Sequence, residues 1–566
     1  MKKIKLNLFR KYFLTQFVFL LCLFNSQTPA WAADGDLDIS FDTDGIAITE
    51  LGDSAAEARS VVMQSDGKIV AVGYMHSDVS PFRNIFAVVR YNTDGSLDSS
   101  FGTAGKVTTL VGRSSEAWDV VLQSDGKIVV VGHLNNGTDN DFVMVRYNTD
   151  GSLDSSFGTA GKVTTLVGTR NEEAYSVVLQ NDGKIVVVGY AWDDAGNSDF
   201  AVVRYNTDGS LDTNSDADPL ISFGTDGIVT TPIGSGRDKA QSVVLQSDGK
   251  IVVAGQSESV SNQGDFAVVR YNTDGSLDTN SDADPLISFD TDGIVTTNFV
   301  DNDSAMSVVL QSDGKIVAAG FSNQNSKIAV ARYNTDGSLD ITFDTDGKQT
   351  TTISDEANGE EVVLQSDGKI VVAGFIMTRV GGSSNYDFAV VRYNTDGSLD
   401  TTFSGDGIQT TDIDQPATVS SFDQAYSVVM QSDGKIVVAG TSYENELDFA
   451  IVRYSSLITS STASATTPKV TKNKVTKKPD AIFNLKNKKY LSKYALETKL
   501  SKNKSFKRSP EDLYKYSIFK ASKNTCLING NYVTGLKKTG GCDLHATRTT
   551  SKGVKYKYWV QINYTK

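Results

Sequence analysis

Seven aspartates and seven arginines recur at matched places along this 566-residue chain, and their types make them the first candidates for chemistry. Asp66, Asp125, Asp182, Asp248, Asp313, Asp367 and Asp433 each stand before a Gly-Lys pair, and Arg90, Arg146, Arg204, Arg270, Arg332, Arg392 and Arg453 each stand before a tyrosine. A carboxylate can act as general acid or base, and a guanidinium can hold an anion. Catalysis, however, needs one asymmetric arrangement, and seven equivalent copies supply none. The pattern therefore assigns the aspartates to turns and the arginines to hydrogen bonds or ion pairs that tie strands or repeat units together.

Other chemistry is sparse. The three histidines, His76, His133 and His545, show no metal-ligand spacing, and no nucleophile-elbow, phosphate-loop or zinc-protease motif occurs. Two identical insertions place oxygen donors at alternate positions: Asp212, Asn214, Asp216 and Asp218, then Asp278, Asn280, Asp282 and Asp284. Calcium is the one cofactor that this spacing suggests, although Ala217 and Ala283 stand where a calcium loop wants glycine. An Asp-rich solvated turn copied with its repeat is the plainer reading. Exposed aromatics in the variable segments, Trp118, Trp192, Tyr386 and Tyr443, are the binding candidates, suited to stacking on sugars or gripping a protein.

The elements that position these residues follow from the repeat. The string Gln-Ser-Asp-Gly-Lys-Ile-Val, or a close variant, starts at Gln64, Gln123, Gln180, Gln246, Gln311, Gln365 and Gln431, a spacing of about 61 residues that suits four short strands. Within Gly161 to Tyr205, the runs from Lys162, Ser176, Lys184 and Phe200 are β-branched and of strand length. Asp182-Gly183 joins the middle pair as a hairpin. Two runs are continuously apolar, so both sheet faces must be covered, and blades stacked around an axis achieve that without helices. The expected fold is all-β: a seven-bladed β-propeller of four-stranded antiparallel blades over residues 33–454. The opening half-unit around Ile46 is expected to complete the last blade. The variable connections, such as Val111 to Trp118, Tyr74 to Asn84, Tyr190 to Asp199 and Phe375 to Tyr386, should share one face.

These residues resemble the delta-60 repeat of bacterial exported proteins. The match runs through Asp125-Gly126-Lys127, Arg146-Tyr147, Gly151-Ser152-Leu153-Asp154 and Phe157-Gly158, and it recurs seven times between Leu37 and Tyr454. The resemblance implies a β-propeller and no particular activity.

The ends suggest where the protein works. Five positive charges up to Lys11 and the uncharged apolar run Tyr12 to Phe24 read as a signal peptide over residues 1–32, with Ala30-Trp31-Ala32 as the cleavage site. No later stretch is long and apolar enough to span a membrane, so the mature chain is expected to be secreted or held at the cell envelope surface as a monomer. Residues 34–454 carry a net charge of −38 and residues 455–566 a net of +19. An acidic body repels phosphates and disfavours nucleic acid. Residues 455–480 are a Ser/Thr/Lys-rich linker, and residues 481–566 read as a small basic β module. In it, Thr525-Cys526, Gly540-Gly541-Cys542 and the residues around them resemble the paired-cysteine pattern of bacterial immunoglobulin-like surface modules. Cys526 and Cys542 are the only mature cysteines, and export favours their oxidation to a disulfide, worth roughly 3 kcal/mol for a loop of about 15 residues.

The functional expectation is a non-enzymatic exported binding or scaffold protein whose partner is a surface glycan, a cell-wall polymer or another protein. The alternative is a propeller hydrolase or lyase acting on polysaccharide, with carboxylates from several blades. Convergent, non-repeated carboxylates near the axis separate the two.

Overall fold

The computed structural model describes residues 33–456, apart from short segments at 53–54, 78–82, 214–221, 225, 259–262, 280–287, 301, 323–326, 381–382, 414–421 and 444–445. Beyond 456 it describes strands between 481 and 565. The chain divides into two compact units, residues 1–460 and 461–566.

The first unit is seven four-stranded antiparallel sheets. After β1 (Ile46–Thr49), the first blade runs outward through β2 (Ala56–Met63), β3 (Ile69–Ser77), β4 (Arg83–Tyr91) and β5 (Lys106–Thr109). Five more blades follow in the same order, ending at Thr165, Thr231, Thr297, Thr351 and Thr411. The last contributes only three consecutive strands, Gln424–Met430, Ile436–Tyr443 and Leu447–Tyr454, and β1 pairs with the third of these, Ile46 opposite Val452. The opening half-unit thus closes the ring. The unit Gly161 to Tyr205 leaves the phase of the blade open, and the register decides it: Lys162 to Thr165 pairs with Asn140–Tyr147 and is the outer edge of the preceding blade, as closure by Ile46 to Thr49 requires. A repeat in the sequence therefore straddles two blades. The variable segments, being second-to-third hairpins and links between blades, still lie on one face because the strands alternate in direction.

The continuous apolar runs are buried along their length, as in Ile185–Ala191. Each cluster joins two blades: Val70, Val72, Phe86 and Val88 of the first pack with Ala117, Val120 and Ile128 of the second. Every innermost strand carries a β-bulge, between Ala58 and Ser60 in the first blade and at the matching place in the other six. Facing each bulge is a glycine, Gly73, Gly132, Gly189, Gly255, Gly320, Gly374 or Gly440. A Cβ on Gly189 would lie 1.9 Å from the Glu173 carbonyl oxygen, so only glycine lets the bulged strand approach. Gly189→Ala is expected to destabilise the propeller by on the order of 3 kcal/mol, measured by denaturant unfolding, whereas Gly196→Ala, which meets nothing within 4 Å but has φ +91°, should cost about 1–2 kcal/mol, the left-handed backbone strain alone.

The repeated polar residues hold this frame. Each turn aspartate accepts the backbone N–H of the lysine two residues on, as Asp66 does from Lys68 at 3.1 Å. Each repeated arginine donates through Nε to a second aspartate at 2.5–2.8 Å, in the pairs Arg90–Asp98, Arg146–Asp154, Arg204–Asp212, Arg270–Asp278, Arg332–Asp340, Arg392–Asp400 and Arg453–Asp38. The turn lysine closes a triad on the same aspartate. Burial opposes the charge on Asp38 and Asp400, but hydroxyl, lysine and arginine partners outweigh it and bring each to about 2. The arginine also reaches the next blade, Arg90 Nη1 donating to the Thr149 carbonyl at 2.6 Å. Tyr91 Oη donates to Thr49 Oγ1 across the seam with the preceding blade at 2.8 Å, and the six equivalent tyrosines pair likewise with threonines. The repeated residues are thereby architecture.

The second unit contains a four-stranded sheet, in which Ala481–Lys486 pairs parallel to Lys555–Thr565, and a three-stranded sheet. It is β throughout its described residues. Cys542 lies in the strand Gly540–Thr549, and Cys526 lies outside the described residues, as do the signal segment and residues 457–480 of the linker. No helix among the described residues is long and apolar enough to cross a membrane.

Candidate functional site

The bulge displaces one residue per blade from the strand ladder, and these seven residues line the axis: Arg59, Trp118, Tyr175, Gln241, Met306, Glu360 and Tyr426. Each stands in the string Ala/Gly-X-Ser/Asp/Glu-Val-Val, whose other places repeat closely while X changes from blade to blade. The bulge is what lets a side chain leave the pleat and point at the channel without breaking the hairpin. Each X stands near the middle of its innermost strand, as Arg59 does in Ala56–Met63, on the variable-face side of the Val-Val pair that follows it. The ring encloses a cavity of about 120 Å³ together with the residues that follow each X.

Those following residues form a second ring, Ser60, Asp119, Ser176, Ser242, Ser307, Glu361 and Ser427. They cap backbone groups freed by the bulge in the neighbouring blade. Asp119 accepts the N–H of Val177 at 2.8 Å and the Ser60 hydroxyl at 2.8 Å, and Glu361 accepts the N–H of Val428 at 2.6 Å. Ser427 and Ser242 accept from Val61 and Val308 at 3.0 and 3.2 Å. Burial pushes Glu361 up to about 7 against these donors and raises Asp119 as well. Glu360 is also pushed up to about 7 by burial, with Arg59 pulling the other way.

Arg59 closes one side of the mouth. Its guanidinium lies 4.1 Å from the Tyr426 ring centre and 4.7 Å from Trp118, donates to the Tyr74 hydroxyl at 3.1 Å, and pairs with Glu57. Burial works against its charge, but Tyr426, Glu57 and Tyr74 more than compensate and hold its pKa above the ordinary value. An aromatic chain continues outward: Trp118 meets Tyr175 edge-on at 5.1 Å, and Tyr175 meets Tyr190 at 5.8 Å while donating to Glu173. Below the two polar rings the walls turn apolar, with Val178, Leu179, Val244, Leu245, Val309 and Leu310 lining a funnel of about 910 Å³ that opens on the repeated-turn face.

The four aromatic candidates are placed differently from the loops expected of them, since all four lie in strands. Trp118 is the bulge residue of Ser114–Leu122 and belongs to the axial ring, although Arg59 and His133 cover its faces. Trp192 ends the strand Ile185–Trp192 beneath Arg237, and Tyr386 packs against Phe375 and Phe422. Tyr443 alone is exposed, at 41%. Of the calcium candidates, Asp212 and Asp278 are the ion-pair aspartates of their blades, held by Arg204 with Lys184 and by Arg270 with Lys250. Asn214, Asp216, Asp218, Asn280, Asp282 and Asp284 lie outside the described residues. The sequence reading missed Arg59, Tyr175, Gln241, Met306, Glu360 and Tyr426; laying the seven repeats over one another at Val-Val would have shown X as their varying position.

The family described as a domain of unknown function (DUF5122) beta-propeller matches seven segments, residues 64–101, 123–157, 180–214, 246–280, 311–343, 365–403 and 431–456. No curated protein matches the chain. Among solved structures, the extracellular domain of a hybrid two component system from B. thetaiotaomicron is 12% identical with a TM-score of 0.34, over 91% of this chain and 56% of that one. This chain thus spans little more than half the length of that relative. A catalytically inactive virginiamycin B lyase from Staphylococcus aureus with quinupristin is 11% identical, TM-score 0.38, over 72% of this chain and 98% of that one. An alpha-L-arabinanase from Penicillium chrysogenum complexed with arabinobiose is 11% identical, TM-score 0.33, over 60% and 94%. Likeness at this level carries nothing about chemistry.

Proposed function

We propose that this seven-bladed propeller repeat protein is a non-enzymatic, exported binding or scaffold protein that engages a glycan or a protein partner at the axial mouth of its variable face. One observation carries the reading: the bulge puts seven side chains of six different kinds around one opening in a frame whose neighbouring residues repeat. A cavity of about 120 Å³ admits a single sugar substituent or side chain, so the partner's bulk would rest on the surrounding face. Tyr443, 41% exposed, gives that face stacking surface. The secretory leader and the basic C-terminal module, read as immunoglobulin-like with a Cys526–Cys542 disulfide, fit display at the cell envelope.

The non-repeated carboxylates at the axis favour the enzyme alternative at first sight. A hydrolase or lyase needs an acid and a base free to exchange protons. Asp119 and Glu361 are each committed to backbone N–H groups, which leaves Glu360 without a second carboxylate of its kind.

The test is a glycan, cell-wall polymer and envelope-protein array probed with the mature chain and with a Glu360→Gln/Tyr426→Ala variant. Retention of at least one class by the mature chain, weakened tenfold or more in the variant, is the expected result. Binding to nothing, or equal binding by both, overturns the reading. Polysaccharide cleavage lost in Glu360→Gln would establish the enzyme instead.

A further inference from the structure

Around the axial ring, blade order places Met306, Glu360, Tyr426, Arg59 and Trp118 in succession, with Gln241 on the far side. The repeated polar residues of the frame are spent on one another, but several polar groups of the ring are not. Arg59 gives Nη2 to Glu57 and to Tyr74, which leaves its Nε and Nη1 with no acceptor among the described residues. Among those residues Glu360 accepts no hydrogen bond and feels only the charge of Arg59. The Gln241 amide makes no hydrogen bond there either, and Trp118 Nε1 is buried without an acceptor.

Unpaired polar groups at a cavity wall are costly unless water or a ligand meets them. Here they come as opposites. A guanidinium donor and a carboxylate acceptor stand on either side of Tyr426 in the ring, and the Tyr426 ring centre lies 4.1 Å from the guanidinium. A carboxylate ligand would suit Arg59 but would face Glu360 and, in the second ring, Asp119 and Glu361. An ammonium would suit Glu360 but would meet Arg59, whose charge Tyr426, Glu57 and Tyr74 uphold. Like charges so juxtaposed work against either ion. A neutral secondary amide satisfies both walls, because its carbonyl accepts and its N–H donates. Met306, next to Glu360 in blade order, adds an apolar, adaptable contact for a methyl group.

Resting on the reading of this mouth as a binding site, we propose that its cavity takes the acetamido group of an N-acetylated amino sugar, with Arg59 on the carbonyl oxygen, Glu360 on the N–H and Met306 against the methyl. The cavity of about 120 Å³ has room for roughly four waters, at about 30 Å³ each, and an acetamido group is of that size. The sugar ring is too large to follow and stays on the surrounding face, where Gln241 offers a donor and an acceptor to a hydroxyl across the opening.

The experiment titrates the full mature chain by calorimetry with the β-1,4-linked tetramer of N-acetylglucosamine, with its deacetylated form and with the glucose tetramer. The acetylated tetramer is expected to bind about tenfold tighter or more than either of the others, since a site built around hydrogen bonds rejects analogues that lack them. Glu360→Leu removes a carboxylate that accepts nothing from the described residues, so it should fold, and it should weaken the acetylated tetramer about tenfold or more. Equal binding of the three tetramers, a preference for the deacetylated one, or a preference untouched by Glu360→Leu overturns the proposal. Retention of the mature chain by a uronic acid polymer or an envelope protein, with no binding of the acetylated tetramer, overturns it too while leaving the mouth as a binding site. Binding to nothing overturns both.

Discussion

Removing residues 34–49 from the mature chain is expected to cost on the order of 5 kcal/mol or more, seen as a large fall in Tm or as loss of a single cooperative unfolding transition. The loss has several parts that act at one seam. The seventh blade loses β1, its outer strand, and with it the backbone pairing from Ile46–Val452 to Thr49–Phe449. Arg453 and Lys435 lose Asp38, leaving the buried Arg453 without its carboxylate and Lys435 with only the exposed Asp433. Phe41, fully buried under the Arg453 guanidinium, leaves a cavity, and Tyr91 loses the Thr49 hydroxyl that receives its proton. Arg392, whose equivalents reach a threonine carbonyl of the next blade, instead pairs with Asp34, so a second blade is loosened as well. An equally long deletion in the described part of the C-terminal unit should leave the propeller transition in place. Differential scanning calorimetry of the two truncations checks this.

The second large effect concerns a residue that the sequence offers as a calcium ligand. Asp212→Ala is expected to cost about 3–5 kcal/mol, because it strips Arg204, 2% exposed, of the carboxylate that neutralises it. Lys184→Ala, removing the more exposed partner of the same aspartate, should cost about 1 kcal/mol or less. Replacing Arg204 and Asp212 together by apolar residues of similar size should recover much of the loss, since the penalty of the single change is the stranded charge. Urea unfolding of the three variants separates these values. If Asp212→Ala were as mild as Lys184→Ala, the triads would not be the frame described here.

How much of this was legible in the sequence depends on what repetition can show. Blade number, the Asp-Gly hairpins and closure by the segment at Ile46 were readable because each is a local pattern copied seven times or conspicuously cut short. The phase of the blade was not, since a strand of four residues such as Lys162–Thr165 has the same composition whichever neighbour it pairs with; only the register with Asn140–Tyr147 decides it. The axial ring was hidden for the opposite reason. Arg59, Gln241 and Met306 share no chemistry, and a search for repeated residues passes over a strand position at which the repeats disagree. The bulge that projects them is marked by the glycine across from it, Gly189 and its equivalents, which in the sequence reads as an ordinary small residue inside a strand. The approach of Asp387 to Asp423 was beyond local reading altogether, because it happens across a blade junction.

The central claim is that partners meet the axial ring on the variable face while the repeated residues only build the frame. Hydrogen–deuterium exchange of the mature chain with and without the tightest array ligand tests it most directly. The account predicts new protection in the segments that open the innermost strands, around Arg59, Trp118, Tyr175, Glu360 and Tyr426, with the Asp-Gly turns from Asp66 to Asp433 unchanged. Protection confined to those turns on the opposite face would contradict it.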